Sequence, residues 1–145
     1  MPPNIVINTQ GKVTITDFGV TKVMSCMLEM CNSYVSTCTY MSPERFSSNV
    51  YGGKYNSFVA DVWSLGMALF ELYVGHFPLL QEGQRPNWAT LMCVVCFDEP
   101  SSLTETASLE FRNFVECCIK KESSERWTMS QLLIHLFVCK NPKSC

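Results

Sequence analysis

Polar and apolar positions divide this chain into stretches of different period. Asn4-Ile5-Val6-Ile7-Asn8 and Val13-Thr14-Ile15-Thr16 are short β-branched runs flanking the turn-like Thr9-Gln10-Gly11-Lys12, a pattern that predicts a β-hairpin. From Thr21 to Ser36, Met, Cys, Ser and Asn follow one another with neither strand nor helix period, so an irregular loop is expected. From Val59 to Val74 the chain is apolar around nearly its whole circumference, broken by Asp61, Ser64 and Glu71. A helix without a polar face must be buried on all sides, and this one is too short and too charged for a membrane span. Gly75 and Phe77-Pro78 end it. Three more helices are expected at about residues 86–96, 108–121 and 128–138. In the last, Thr128 and Gln131 form a capping box, and Met129, Leu132, Leu133, Leu136 and Phe137 make one stripe, most simply core packing.

A length of 145 residues fits one domain, and 47% hydrophobic content can bury a sizeable core if all its pieces are present. The net charge of −2 supplies no basic field for phosphate backbones, so neither nucleic acid nor membrane is an expected partner. Lys120-Lys121, the only basic cluster, reads as a solvated helix face. No basic segment leads into an apolar run, so no secretory signal is expected and the nine cysteines read as free thiols in a reducing compartment. The cytoplasm is the expected location, with the nucleus as a second. Cys93 and Cys96, with Cys117-Cys118 further on, could be forced into a zinc site, but no loop-forming turn residues surround either pair; buried helix cysteines are the simpler reading.

The chemistry-bearing signal is Asp17-Phe18-Gly19 followed by Ser42-Pro43-Glu44, which brackets an activation segment of about 17–44 in the manner of protein kinases. With Asn32-Ser33-Tyr34-Val35, Tyr40-Met41-Ser42-Pro43-Glu44-Arg45-Phe46, Asp61-Val62-Trp63-Ser64-Leu65-Gly66, Gly75-His76-Phe77-Pro78-Leu79 and Ser123-Ser124-Glu125-Arg126-Trp127 in kinase order, the chain resembles the C-terminal lobe of a plant-type MAP kinase kinase. The resemblance runs from Asn4 to about Val138. It implies a mainly α fold, a helical kinase C-lobe with a short β-hairpin before the activation segment and no N-lobe, so that residues 1–145 form a partial kinase domain.

The resemblance also implies roles. Asn4 and Asp17 match the kinase residues that hold Mg²⁺ against ATP, and both are hard oxygen donors; outside that context, Asn4 reads as a turn cap and Asp17 as a strand end. Glu44 and Arg126 match a buried ion pair tying the end of the activation segment to the C-terminal helices, and Asp61 matches a residue that holds the catalytic-loop backbone. Ser33 matches the second of two activating phosphorylation sites, while the first falls on Met27, whose thioether takes no phosphate; Ser25 or Thr37 are the alternatives, and a loop serine can also be merely solvated. Thr37 matches the threonine lining the peptide-substrate groove, and Ser36 stands where the family has Gly. The implied partners are a MAP kinase and an upstream MAP kinase kinase kinase.

In a catalytic loop H-R-D-x-x-x-x-N ending at Asn4, the catalytic Asp falls before Met1, and Met1 occupies the place of the loop's Lys. The Gly-rich loop and the ATP-pairing Lys with its Glu partner also have no match. The expectation is therefore a chain with no kinase activity by itself, or alternatively a non-catalytic module that binds a MAP kinase or an upstream kinase. One side of Phe58, Trp63, Leu69 and Phe70 is expected to face water where a preceding helix would lie, leaving an apolar patch prone to self-association.

Overall fold

The computed structural model describes residues 4–16, 38–46, 56–80, 83, 87–98, 100 and 103–139. It is mainly helical with one small sheet. Strand β1 (Ile5–Ile7) pairs antiparallel with β2 (Val13–Ile15) in the register Ile5 to Ile15, Val6 to Thr14 and Ile7 to Val13. The turn forms as its residue types dictate: Asn8 Oδ1 accepts from the backbone of Gln10 at 3.0 Å and of Lys12 at 2.9 Å, and Gly11 takes φ 78°.

Helix α1 (Pro43–Phe46) is a single turn opened by proline, whose missing N–H costs nothing at a first helical position. Helix α2 (Ser57–Val74) starts two residues before the apolar run does, because Asn56 caps it by accepting from the Phe58 N–H; Gly75 ends it at φ 85°. Helix α3 (Trp88–Cys96) begins after its Asn87 cap, and α4 (Leu109–Cys118) after Ser108. Helix α4 stops short of the expected residue 121 because the carbonyls of Lys120 and Lys121 turn aside to meet Arg126. The Lys120-Lys121 pair thus lies in the turn beyond the helix rather than on a helix face.

The expected last helix is two pieces, α5 (Met129–Leu133) and α6 (Leu136–Cys139), with the capping box present at Thr128. The break lies at His135. Ile134 and His135 make tight bonds to Gln131 and Leu132, and His135 Nδ1 then accepts the Phe137 N–H at 3.1 Å, starting the next turn. The stripe consequently does not pack as a unit. Leu132 is buried, whereas Leu133 and Leu136 are more than half exposed.

The core forms where α2 meets α4. At Gly66 the helices approach so closely that a Cβ would sit 2.5 Å from Cys118 Cβ and 2.7 Å from Ile119 Cγ2. Trp63 and Phe70, expected to face water on one side, are 0% and 1% exposed and belong to the same cluster as Phe114, Val115 and Leu132. The reason is that α4 and the turn behind it cover α2 from within this chain. Burial of this kind contributes about 1.5–3 kcal/mol per large side chain. Leu69 is partly buried, and of the four only Phe58, at 77%, is left in water. By length and composition α2 could also cross a membrane, yet its centre is the core of the helical body. Cys117 and Cys118 are buried, burial pushing the Cys118 thiol up to about 12, while Cys93 on α3 is exposed, contrary to the buried reading.

Candidate functional site

Helix α1 is held by Arg126. Its Nη1 donates to Glu44 Oε1 and its Nη2 to Glu44 Oε2, each at 2.6 Å, a bidentate pair in which neither residue exceeds 4% exposure. The remaining donors go to backbone carbonyls: Nε to Lys120 at 2.5 Å, Nη1 to Val59 at 3.2 Å and Nη2 to Lys121 at 2.9 Å. Every N–H of the guanidinium is therefore used, and its face lies 5.2 Å from the Trp63 ring. One side chain thus joins α1, the start of α2 and the turn after α4. Burial opposes ionisation of Glu44, but the hydrogen bonds and charge of Arg126 outweigh it and hold the carboxyl below its ordinary value.

The polar residues that interrupt α2 all meet the same segment. Asp61 pairs with Arg45 Nη2 at 3.2 Å at the exposed end of the helix. The Ser64 hydroxyl donates to the Tyr40 carbonyl at 2.8 Å. The Tyr40 hydroxyl donates to Glu71 Oε2, and Glu71 is only 6% exposed. Burial first, then the hydrogen bond to the Glu71 carboxylate and its charge, push the Tyr40 hydroxyl well above its ordinary value. Tyr40 also packs edge-on against Phe77, with ring centroids 6.3 Å apart.

The hairpin forms the other part of the site. Asn4 is half-buried, and its carbonyl accepts the Thr16 N–H at 2.8 Å, so the register sets Asn4 beside the residue that precedes Asp17. Asp17, Ser33 and Thr37 lie outside the described residues. The donor types fit Mg²⁺: the amide oxygen of Asn4 and the carboxylate of Asp17, next in sequence after Thr16, are hard ligands for a cation that keeps water and phosphate oxygens in its remaining positions. Among the predicted site residues, Glu44 and Arg126 are in contact and Asp61 lies nearby on Arg45. Tyr40, Ser64 and Glu71 carried no role in the sequence reading. The signal was present, since the spacing of Asp61, Ser64 and Glu71 puts them on one side of a helix that otherwise has no polar face.

The protein kinase domain family model matches residues 2–138. Mitogen-activated protein kinase kinase 9 of Arabidopsis thaliana is 56% identical over 137 residues, covering 94% of this chain and 44% of that protein. Mitogen-activated protein kinase kinase 7 of the same plant is 58% identical over the same shares, and mitogen-activated protein kinase kinase 1c of Physcomitrium patens is 39% identical over 96% of this chain and 40% of its own length. The chain thus spans less than half the length of these curated relatives. With the match running through the hairpin, the anchored segment and the helices behind it, the chain belongs to the protein kinase family and is similar to the MAP kinase kinases of plants.

Proposed function

We propose that these residues are the substrate-holding and metal-holding part of a MAP kinase kinase, which transfers phosphate from ATP to threonine and tyrosine of a MAP kinase and is itself switched by an upstream kinase. The observation that carries this reading is the buried Glu44–Arg126 fork, because it fixes the end of the activation segment against the helical body. Asn4 and Asp17 would hold Mg²⁺ on the phosphates, and Thr37 would line the groove for the target peptide. Bound ATP–Mg²⁺ supplies the phosphoryl group. The chain's own residues orient it and shield its charge. Ser33 is the activating phosphorylation site in this reading, with Met27 leaving the switch a single phosphate. It acts in the cytoplasm and nucleus.

The 145 residues contain no Asp in H-R-D context, so on their own they bind without transferring phosphate. The test is a chimera in which the part of Arabidopsis mitogen-activated protein kinase kinase 9 that precedes the counterpart of Asn4 is joined in front of Asn4. The chimera is expected to phosphorylate a purified MAP kinase, the Asp17→Ala chimera not to, and the 145-residue chain alone not to. An inactive but folded chimera would contradict the kinase reading. Transfer by the chain alone, abolished by Asp17→Ala, would contradict the assignment of the base elsewhere.

A further inference from the structure

Arg126 and Arg112 are used in opposite ways. Arg126 engages every N–H inside the chain. Arg112, on α4, makes no ion pair among the described residues, although its Nε is closed off from water and has no hydrogen-bond partner there. A guanidinium is charged at every physiological pH, so a donor buried on it without an acceptor is costly. Hydroxyl groups gather beside it. The Tyr73 hydroxyl, at the end of α2, lies 2.6 Å from Thr106 Oγ1, and that oxygen lies 2.6 Å from Thr104 Oγ1. Both threonines are exposed, on a turn closed by the Ala107 N–H donating to the Thr104 carbonyl at 3.1 Å. The Tyr73 ring packs on Phe111, the neighbour of Arg112, with centroids 5.4 Å apart. Hydrogen bonds from Thr106 and Thr104, with the charge of Arg112 behind them, hold the Tyr73 hydroxyl below its ordinary value, so this spot favours negative charge.

From this cluster we infer a binding site for a tetrahedral phosphate oxyanion, in which the Arg112 guanidinium supplies the charge and the hydroxyls of Tyr73, Thr104 and Thr106 supply further donors. Without an anion the three hydroxyls bond one another, and each can turn its proton outward with no backbone movement. Phosphate suits donors that arrive from α2, the turn and α4 together: its oxygens point in several directions and two of them match the guanidinium fork, whereas the two oxygens of a carboxylate lie in one plane. Glu105, exposed between the two threonines, opposes the charge and keeps a free ion weakly held. Two sources supply the same chemistry. One is the free ion. The other is an ester on Thr106 itself, made when a protein kinase acting in trans passes the γ-phosphoryl of ATP to Oγ1; ADP leaves, the hydroxyl proton goes to that kinase's base, and Arg112, Tyr73 and Thr104 receive the new group. The site stands apart from the metal-holding and substrate-holding residues and does not depend on their assignment.

The experiment titrates inorganic phosphate into the isotope-labelled 145-residue chain at constant ionic strength, following the Arg112 Nε–H and the amides from Thr104 to Ala107 by NMR. Wild type is expected to shift saturably in the millimolar range. Arg112→Gln should bind about tenfold more weakly, and Thr106→Val or Tyr73→Phe about threefold. Unchanged exchange of the α2 amides in each variant verifies that it is folded. Lys12→Gln, on the exposed turn of the hairpin, should bind as wild type does. In the second arm, the chain phosphorylated at Thr106 is expected to show the shifted Arg112 Nε–H without added phosphate and to take up no free ion. Saturation by free phosphate alone assigns the ion as the source, and a response to the ester alone assigns Thr106. Binding in neither form would overturn the inference, as would binding that leaves the Arg112 signal unmoved or that is as strong in Arg112→Gln.

Discussion

The helical body and the hairpin differ in how completely each closes on itself. Around α2 the large side chains Trp63, Met67 and Phe70 are buried, and Asp61, Ser64 and Glu71 each hold the stretch from Tyr40 to Arg45. In the hairpin, Val6, Ile7, Val13 and Ile15 are all at least half exposed, and among the described residues the strands pack chiefly on one another. An isolated two-stranded hairpin is marginal in water. The lesson is that the helical body, proposed to hold the substrate, carries its own support, whereas the hairpin, proposed to hold the metal, has little of its own among the described residues.

The strongest way to break this contrast is to remove the fork. Glu44→Ala or Arg126→Ala leaves an uncompensated buried charge and is expected to destabilise the helical body by about 3–5 kcal/mol, read by urea unfolding. Arg126→Lys should recover little, because a point charge cannot replace donors to two carboxylate oxygens and three carbonyls. The same pair predicts an acid sensitivity. Since the folded Glu44 carboxyl lies below its unfolded value, its contribution is present above that unfolded value and is lost as pH falls through the folded one. Unfolding midpoints measured downward from about pH 5 should drop more steeply in wild type than in Glu44→Gln.

A smaller effect is expected at the helix crossing. Gly66→Ala places a methyl against Cys118 and Ile119, and the overpacking should cost about 1–3 kcal/mol, with α2 and α4 amides exchanging faster. Ser108→Ala removes the bond to the Phe111 N–H and should cost about 1 kcal/mol. The contrast is sharpest at the small end: Ile15→Thr, at a position 63% exposed, should change stability by less than about 0.5 kcal/mol. A loss there comparable to Gly66→Ala would mean that the hairpin is part of the same cooperative unit.

Much of this was legible in the residues. The hairpin followed from Thr9-Gln10-Gly11-Lys12 between β-branched runs, and the buried helix from the missing polar face of 59–74. The pairing of Glu44 with Arg126, across 82 residues of sequence, came only from resemblance, since no local pattern encodes so distant a contact. Of the expectations the structure corrected, two have the clearest physical causes. The burial of Trp63 and Phe70 depends on how near α4 comes at Gly66, a tertiary fact invisible to periodicity. The split between α5 and α6 depends on a histidine ring nitrogen capturing a backbone N–H, which overrides the helical spacing of Leu133 and Leu136. Polar residues inside the apolar run carried more information than they were given, because their common side names the surface that another segment must occupy.

Hydrogen exchange along the unmodified chain tests the difference between the two regions most directly. The amides of α2 and α4 are expected to be the most protected and to exchange together, at least a hundredfold more slowly than those of β1 and β2. Protection of the hairpin equal to that of α2, or loss of protection in α2 while the hairpin keeps its own, would contradict a helical body that supports itself.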